Sequence, residues 1–143
     1  MSRSGIRAPY ICVDSSVVFK WFCADDESSV ERALALLQEH IDGHVVLIAP
    51  AHMPAEVLNA FERRRAVSDD QLQTIAQTLA ESEILYPAWD PTLLSRAAAI
   101  ARSNGLTVYG ALFVALAALF ECELVTADRA QARMTECTVR LLL

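Results

Sequence analysis

Three acids in this chain have neighbours suited to chemistry: Asp14 after the apolar run Tyr10–Val13, Glu56 one helical turn past Pro50, and Asp128 at the mouth of the run Glu123–Thr126. Carboxylates brought together repel one another, and a bound hard cation relieves that repulsion. Their oxygens suit Mg²⁺ or Mn²⁺. Such a metal lowers the pKa of a bound water and neutralises charge on a phosphoryl oxygen, and a second metal stabilises the leaving oxygen. That is the equipment of phosphodiester hydrolysis. Ser15, Ser16 and Thr126, beside the acids, can position water or phosphate. Lys20 and Arg129 lie near enough in sequence to touch a nucleic-acid backbone, and Arg63 to Arg65 form a second basic candidate.

Each of these residues has a plainer use as well. Asp14 before Ser15 and Asp128 before Arg129 are placed to cap helices. Glu56 suits a helical first turn, where the dipole favours an acid. The hydroxyls serve equally as capping and strand-end residues, and a basic run is commonly a solvated helix end. Other metal chemistry has little support. Cys12, Cys23, Cys122 and Cys137 contain no C-x-x-C pair. His40 and His44 are separated by the Asp42-Gly43 turn, and His52 stands alone, so structural or surface roles are expected for all three.

The elements that must position the acids follow from apolar periodicity. Strands are expected at Tyr10–Val13, Val45–Ala49, Glu83–Tyr86 (EILY), Glu123–Thr126 and Thr138–Leu142. Between them come a helix-like stretch at Ser15–Phe22 and an amphipathic helix opened by a Ser28–Glu31 capping box. That helix has Val30, Ala33, Leu34, Leu37 and Ile41 on its apolar face. A third helix runs from about Pro54 to Arg65. A fourth follows the Ser68–Gln71 box, with Leu72, Ile75, Ala76 and Leu79 inward. Another runs from the Asp90-Pro91 start to the Gly105 stop. The apolar stretch Leu106–Phe120 predicts a buried central helix, and Arg129–Met134 a short one. Strand and helix alternate throughout, which predicts a single α/β domain with a mainly parallel central sheet flanked by helices. Ligands of such sheets bind beyond the carboxyl ends of the strands, where Asp14 and Asp128 fall.

Composition sets outer bounds. With 143 residues, 54% of them hydrophobic and 21% charged, the chain is long and apolar enough to bury a real core. A net charge of −6 argues against gripping nucleic acid through bulk positive charge. Mean hydropathy of +0.30 raises the membrane question. A spanning helix needs about 20 apolar residues, and the uncharged run ends at Glu121, so a buried helix and no membrane are expected. Residues 1–9 read as a short basic tail without a long apolar segment, and a cytoplasmic location is the default. Trp21, Phe22, Val57, Leu58 and Phe61 exceed what two one-faced helices need. They suit either core packing or a partner groove.

The blocks ICVDSSVVFKWF, PAHMPAEVLNAFERR and GLTVYGALFVALAALFECELVTADRA resemble, in order and spacing, the PIN domain and within it the VapC-type toxins of bacterial toxin–antitoxin pairs. The resemblance covers nearly the whole sequence, so it implies one PIN-like domain over residues 1–143. It also implies a Mg²⁺- or Mn²⁺-dependent endoribonuclease, leaving 5′-phosphate and 3′-hydroxyl ends. A homodimer and a cognate antitoxin that reaches across the active site belong to the same implication. Asp14, Glu56 and Asp128 match three of the family's acids. The fourth is missing: the family's Tyr-Asp-Ala is Tyr109-Gly110-Ala111 here. Gly costs up to about 1 kcal/mol in a helix relative to Ala, so helix propensity does not explain it. Weak metal binding and strongly reduced RNA cleavage are therefore expected. The alternative is a catalytically silent PIN domain that binds RNA or a partner protein. The acids alone would also suit a metal-dependent phosphatase or DNA nuclease.

Overall fold

Four short aliphatic runs make one sheet in the computed structural model, which describes residues 7–23, 28–65 and 67–142. Residues 1–6 of the expected tail and the Ser28 side chain of the expected capping box lie outside that set. β1 (Tyr10–Val13), β2 (Val46–Ile48), β3 (Glu123–Thr126) and β4 (Val139–Leu141) are all parallel, in the order β2-β1-β3-β4. Cys12 sits between Ile48 and Leu124, so β1 is buried from both sides. This explains its continuous apolar run. Asp14 N donates to Val125 O at 3.0 Å, which carries the β1–β3 pairing to the sheet's carboxyl edge.

Among the described residues seven helices connect the strands: α1 (Ser15–Lys20), α2 (Ser28–Ile41), α3 (Met53–Arg64), α4 (Asp69–Glu81), α5 (Pro91–Asn104), α6 (Val108–Leu119) and α7 (Arg129–Ala132). Their starts are chemically marked. Asp14 caps α1 and Asp90 caps α5, Ser68 and Gln71 make both bonds of a capping box on α4, and Thr107 caps α6 by accepting from Gly110 N. Gly105, at φ 68°, ends α5 in the left-handed conformation. Every residue of α6 from Ala111 to Ala117 is buried, as expected for a helix that is apolar all round. No single helix among the described residues is long and apolar enough to cross a membrane.

Two local expectations are corrected. Glu83–Tyr86 is not a strand. Leu85 alone bridges to Ile48, exchanging bonds with Leu47 O and Ala49 N. Glu83 stands at φ 60° before that point and Pro87 lacks an N–H after it, so pairing stops at one residue. The inward face of α2 is turned from the one expected. Leu36 is buried, whereas Leu34 and Ile41 are exposed at 42% and 65%. His40 points inward with Leu36. Its Nδ1 accepts from Leu47 N at 3.1 Å and its Nε2 meets Ser82 O at 2.9 Å. Of the two readings of the large apolar residues, core packing holds: Trp21, Val57 and Phe61 are core residues, with Phe22 and Leu58 packed partly buried against them.

Candidate active site

The carboxyl edge of β1 and β3 carries a closed hydrogen-bonded network centred on Asp14, which is 6% exposed. Its Oδ2 accepts from Ser16 N at 3.0 Å and from the Ser16 hydroxyl, and its Oδ1 accepts from Gln131 Nε2 at 3.1 Å. The Ser16 hydroxyl in turn accepts from Ala127 N at 2.9 Å. Gln131, on α7, is 2% exposed and uses its whole amide. Its second N–H goes to Gly110 O at 3.0 Å, and its Oε1 accepts the Thr126 hydroxyl at 2.6 Å. Thr126 Oγ1 also accepts from Asp128 N at 2.9 Å. The amide orientation follows from its partners, two acceptors on the nitrogen side and a hydroxyl on the oxygen side. Among the described residues no Lys, Arg or His pairs with Asp14, so hydrogen-bond donors alone balance its charge.

The other two acids are held differently. Glu56 lies in the first turn of α3, where its Oε1 accepts from the Ser15 hydroxyl at 2.6 Å and lies 3.5 Å from His52 Nε2. That nitrogen is also 3.2 Å from Tyr109 O, beside Gly110. His52 does not stand alone: Trp89, Tyr109 and Phe113 surround its ring, and its Nδ1 is buried without a hydrogen-bond partner among the described residues. Asp128 is exposed and caps α7 by accepting from Ala130 N at 2.8 Å. The plainer capping role expected for Asp14 and Asp128 is therefore in use.

An open cleft of about 390 Å³ runs beside these groups, and Ser15, Ser16, Glu56, Lys20 and Arg64 are among the residues that line it. Arg64 lies 4.5 Å over the Phe19 ring, which stacks on Phe61 at 4.3 Å. Of the basic run at the end of α3, Arg64 thus faces the cleft, while Arg129 does not line it. Gly110 sits in the first turn of α6. A Cβ there would stand 3.3 Å from Thr107 Oγ1 and 3.6 Å from Gln131 Nε2, so the position has room for a side chain with a slight shift of the cap.

A divalent cation needs several uncommitted oxygens at fixed geometry. Both Asp14 oxygens already accept N–H or O–H donors, and the Gln131 amide presents hydrogens where a cation would need lone pairs. Among the described residues no three His, Cys, Asp or Glu side chains are arranged to hold a metal ion. The residues as arranged do not fit Mg²⁺ or Mn²⁺.

Gln131 is the residue that sequence reasoning overlooks. Asp128-Arg129-Ala130-Gln131 has the spacing of a capping box, in which Gln131 would reach back to Asp128 N. Thr126 takes that N–H instead and frees the amide to turn inward. An uncharged polar side chain between two alanines of a short helix is the available signal, and it does not reveal which way the side chain turns.

Comparison with known proteins agrees with this architecture. A search of curated protein sequences finds no match. Solved structures share the fold at low identity. The structure of FitAcB from Neisseria gonorrhoeae aligns over 90% of this chain and 95% of that chain at 16% identity, with a TM-score of 0.63. That of PAE2754 from Pyrobaculum aerophilum aligns over 95% and 86% at 20% identity, with a TM-score of 0.66. That of VapBC2 from Rickettsia felis, bound to a DNA fragment from their promoter, aligns over 92% and 98% at 12% identity, with a TM-score of 0.65. The family model for the PIN domain matches residues 11–136. Parallel sheet, flanking helices and acids at the strand ends thus meet in one assignment: the chain belongs to the PIN-domain family.

Proposed function

We propose that this chain is the toxin-type component of a toxin–antitoxin pair, a PIN-domain endoribonuclease that binds RNA in the cleft beside Glu56 and cleaves it at a strongly reduced rate. The observation that carries the reading is the cleft itself, which two basic side chains, an acid and two hydroxyls line together within a PIN fold. Lys20 and Arg64 supply charge for a phosphate backbone in a chain that is acidic elsewhere. Ser15 and Ser16 line the same cleft and are the proposed hydroxyl contacts to a phosphate oxygen. Asp14, Glu56 and Asp128 are the proposed catalytic acids, and Mg²⁺ or Mn²⁺, which the family resemblance implies, is the proposed cofactor, held only weakly because the residues as arranged do not fit it. The loss of an acid at Gly110 and the commitment of Asp14 to protein donors account for the reduced rate. The fold likeness to VapBC2 supports a cognate antitoxin as partner, and a homodimer is proposed from the family resemblance alone. Nothing in the proposal calls for a membrane, and it takes place in the cytoplasm.

The test is Mn²⁺-dependent cleavage of RNA by this chain and by a Gly110→Asp variant, with DNA and a small phosphoester alongside. Faint RNA cleavage by the chain and clearly faster cleavage by the variant are expected. Equal rates would sink the assignment of position 110 to the site, and faster turnover of DNA or the phosphoester would reassign the substrate. A second reading, a silent module that binds RNA or a partner protein, is favoured by the saturation of Asp14. Growth arrest on expression without a partner supports the enzyme. Harmless expression with retained partner binding supports the silent module.

A further inference from the structure

The geometry points to a substitution of chemistry within the site: the Gln131 carboxamide holds the place of the cation, so the pocket around Asp14 is complete without metal. A cation in a carboxylate pocket does two things. It neutralises the acids and ties the elements that bear them together. Gln131 carries no charge, but its hydrogen bonds stabilise Asp14 and tie neighbouring elements together. One N–H meets Asp14 Oδ1 at the end of β1, the other meets Gly110 O in α6, and its Oε1 takes the hydroxyl of Thr126 on β3. Three elements are thereby joined to α7 through a single buried side chain.

Gly110 and Gln131 act as a pair in this arrangement. A Cβ at Gly110 would lie 3.6 Å from Gln131 Nε2, so a carboxylate added at position 110 would project beside the amide. It would accept the amide's N–H before it met any metal. Restoring the acid alone then restores the metal site only in part, and full binding requires the amide to leave as well. The inference rests on placing Asp14 in the site proposed above, and it adds the residue that regulates what Asp14 can bind.

Mn²⁺ alone, without RNA, is the probe. Isothermal titration and thermal unfolding, in chelator and in millimolar Mn²⁺, are compared for the chain, Gly110→Asp, and Gly110→Asp with Gln131→Leu. The chain's midpoint is expected to move by less than about 1 °C on adding Mn²⁺, because no site is linked to folding. The double variant is expected to bind Mn²⁺ about ten-fold or more tightly than Gly110→Asp, since hydrogen bonds to charged groups contribute on that scale. Binding by the unaltered chain as tight as by the double variant overturns the inference. So does a folded double variant that binds no more tightly than the single one. Should the double variant fail to fold, Gln131→Glu, of nearly the same shape, decides. Mn²⁺ must raise its midpoint by several degrees more than that of the chain, and equal shifts overturn the inference. Absence of RNA cleavage or binding would overturn the proposed function and leave these metal comparisons intact.

Discussion

Asp14 shows how much of a site one residue's partners can decide. The carboxylate is buried and accepts only from protein N–H and O–H groups, so replacing it by Asn sets an amide N–H₂ against a donor on one side or the other. Turning Gln131 over would relieve the clash at Asp14, but it would point Oε1 at Gly110 O and the amide nitrogen at Thr126. Asp14→Asn is therefore expected to cost about 1–3 kcal/mol, the range for an unsatisfied buried polar group. A lowered urea midpoint at unchanged slope checks it, and an unchanged midpoint would refute the closed network. The same variant, assayed below its unfolding temperature, is expected to lose whatever RNA cleavage the chain retains. Asp14, Glu56, Asp128 and position 110 were readable as candidates because strand ends and family spacing mark them, although no three acids are arranged as a metal site among the described residues. Gln131 was not, because direction inside a core depends on which neighbour takes Asp128 N–H, and that neighbour, Thr126, belongs to another element.

At the scale of elements, caps and stops carried most of the information. β1 and β3 have the bounds expected from their apolar runs, and the Asp90-Pro91, Ser68–Gln71 and Gly105 signals mark real helix ends. What failed was rotation and pairing. The face of α2 is set by Trp21 Nε1 reaching Ala33 O at 2.9 Å and by His40 reaching β2, contacts that periodicity alone does not order. His40 joins the end of α2 to the start of β2 and the end of α4. Its partners select the neutral ring with hydrogen on Nε2, since Leu47 N–H needs an acceptor and Ser82 O a donor. His40→Ala is expected to cost about 1–3 kcal/mol by leaving the Leu47 N–H unpaired. The loss should appear as faster amide hydrogen exchange at Leu47 than at β1 residues of the same variant. Unchanged protection at Leu47 would show that the histidine is not its partner.

For the whole molecule, alternation of strand and helix was enough to expect a parallel sheet, but not its order. The order β2-β1-β3-β4 puts the two acid-bearing strand ends side by side, and crossover connections of this kind leave no mark in local sequence. It also gathers thiols. Cys12 lies in β1, Cys122 just before β3 and Cys137 just before β4, and burial pushes all three thiols above their ordinary value near 9, Cys137 to about 11. Burial raises Tyr86 in the same direction. These groups are acids with raised folded-state values, so the folded chain holds their protons more tightly than the unfolded chain does. Their contribution is constant below the unfolded value. As pH climbs from about 9 towards about 11 the unfolded chain ionises first, and stability falls across that window. Urea midpoints should hold level up to about pH 8 and decline above it, with a shallower decline in Cys137→Ala. Iodoacetamide at about pH 8 should label Cys12 and Cys137 far more slowly in the native chain than in urea, because the thiolate is the reactive form. A midpoint that rises between about pH 9 and about pH 11, or native labelling as fast as unfolded, would mean that the strands do not bury these thiols as the sheet order requires.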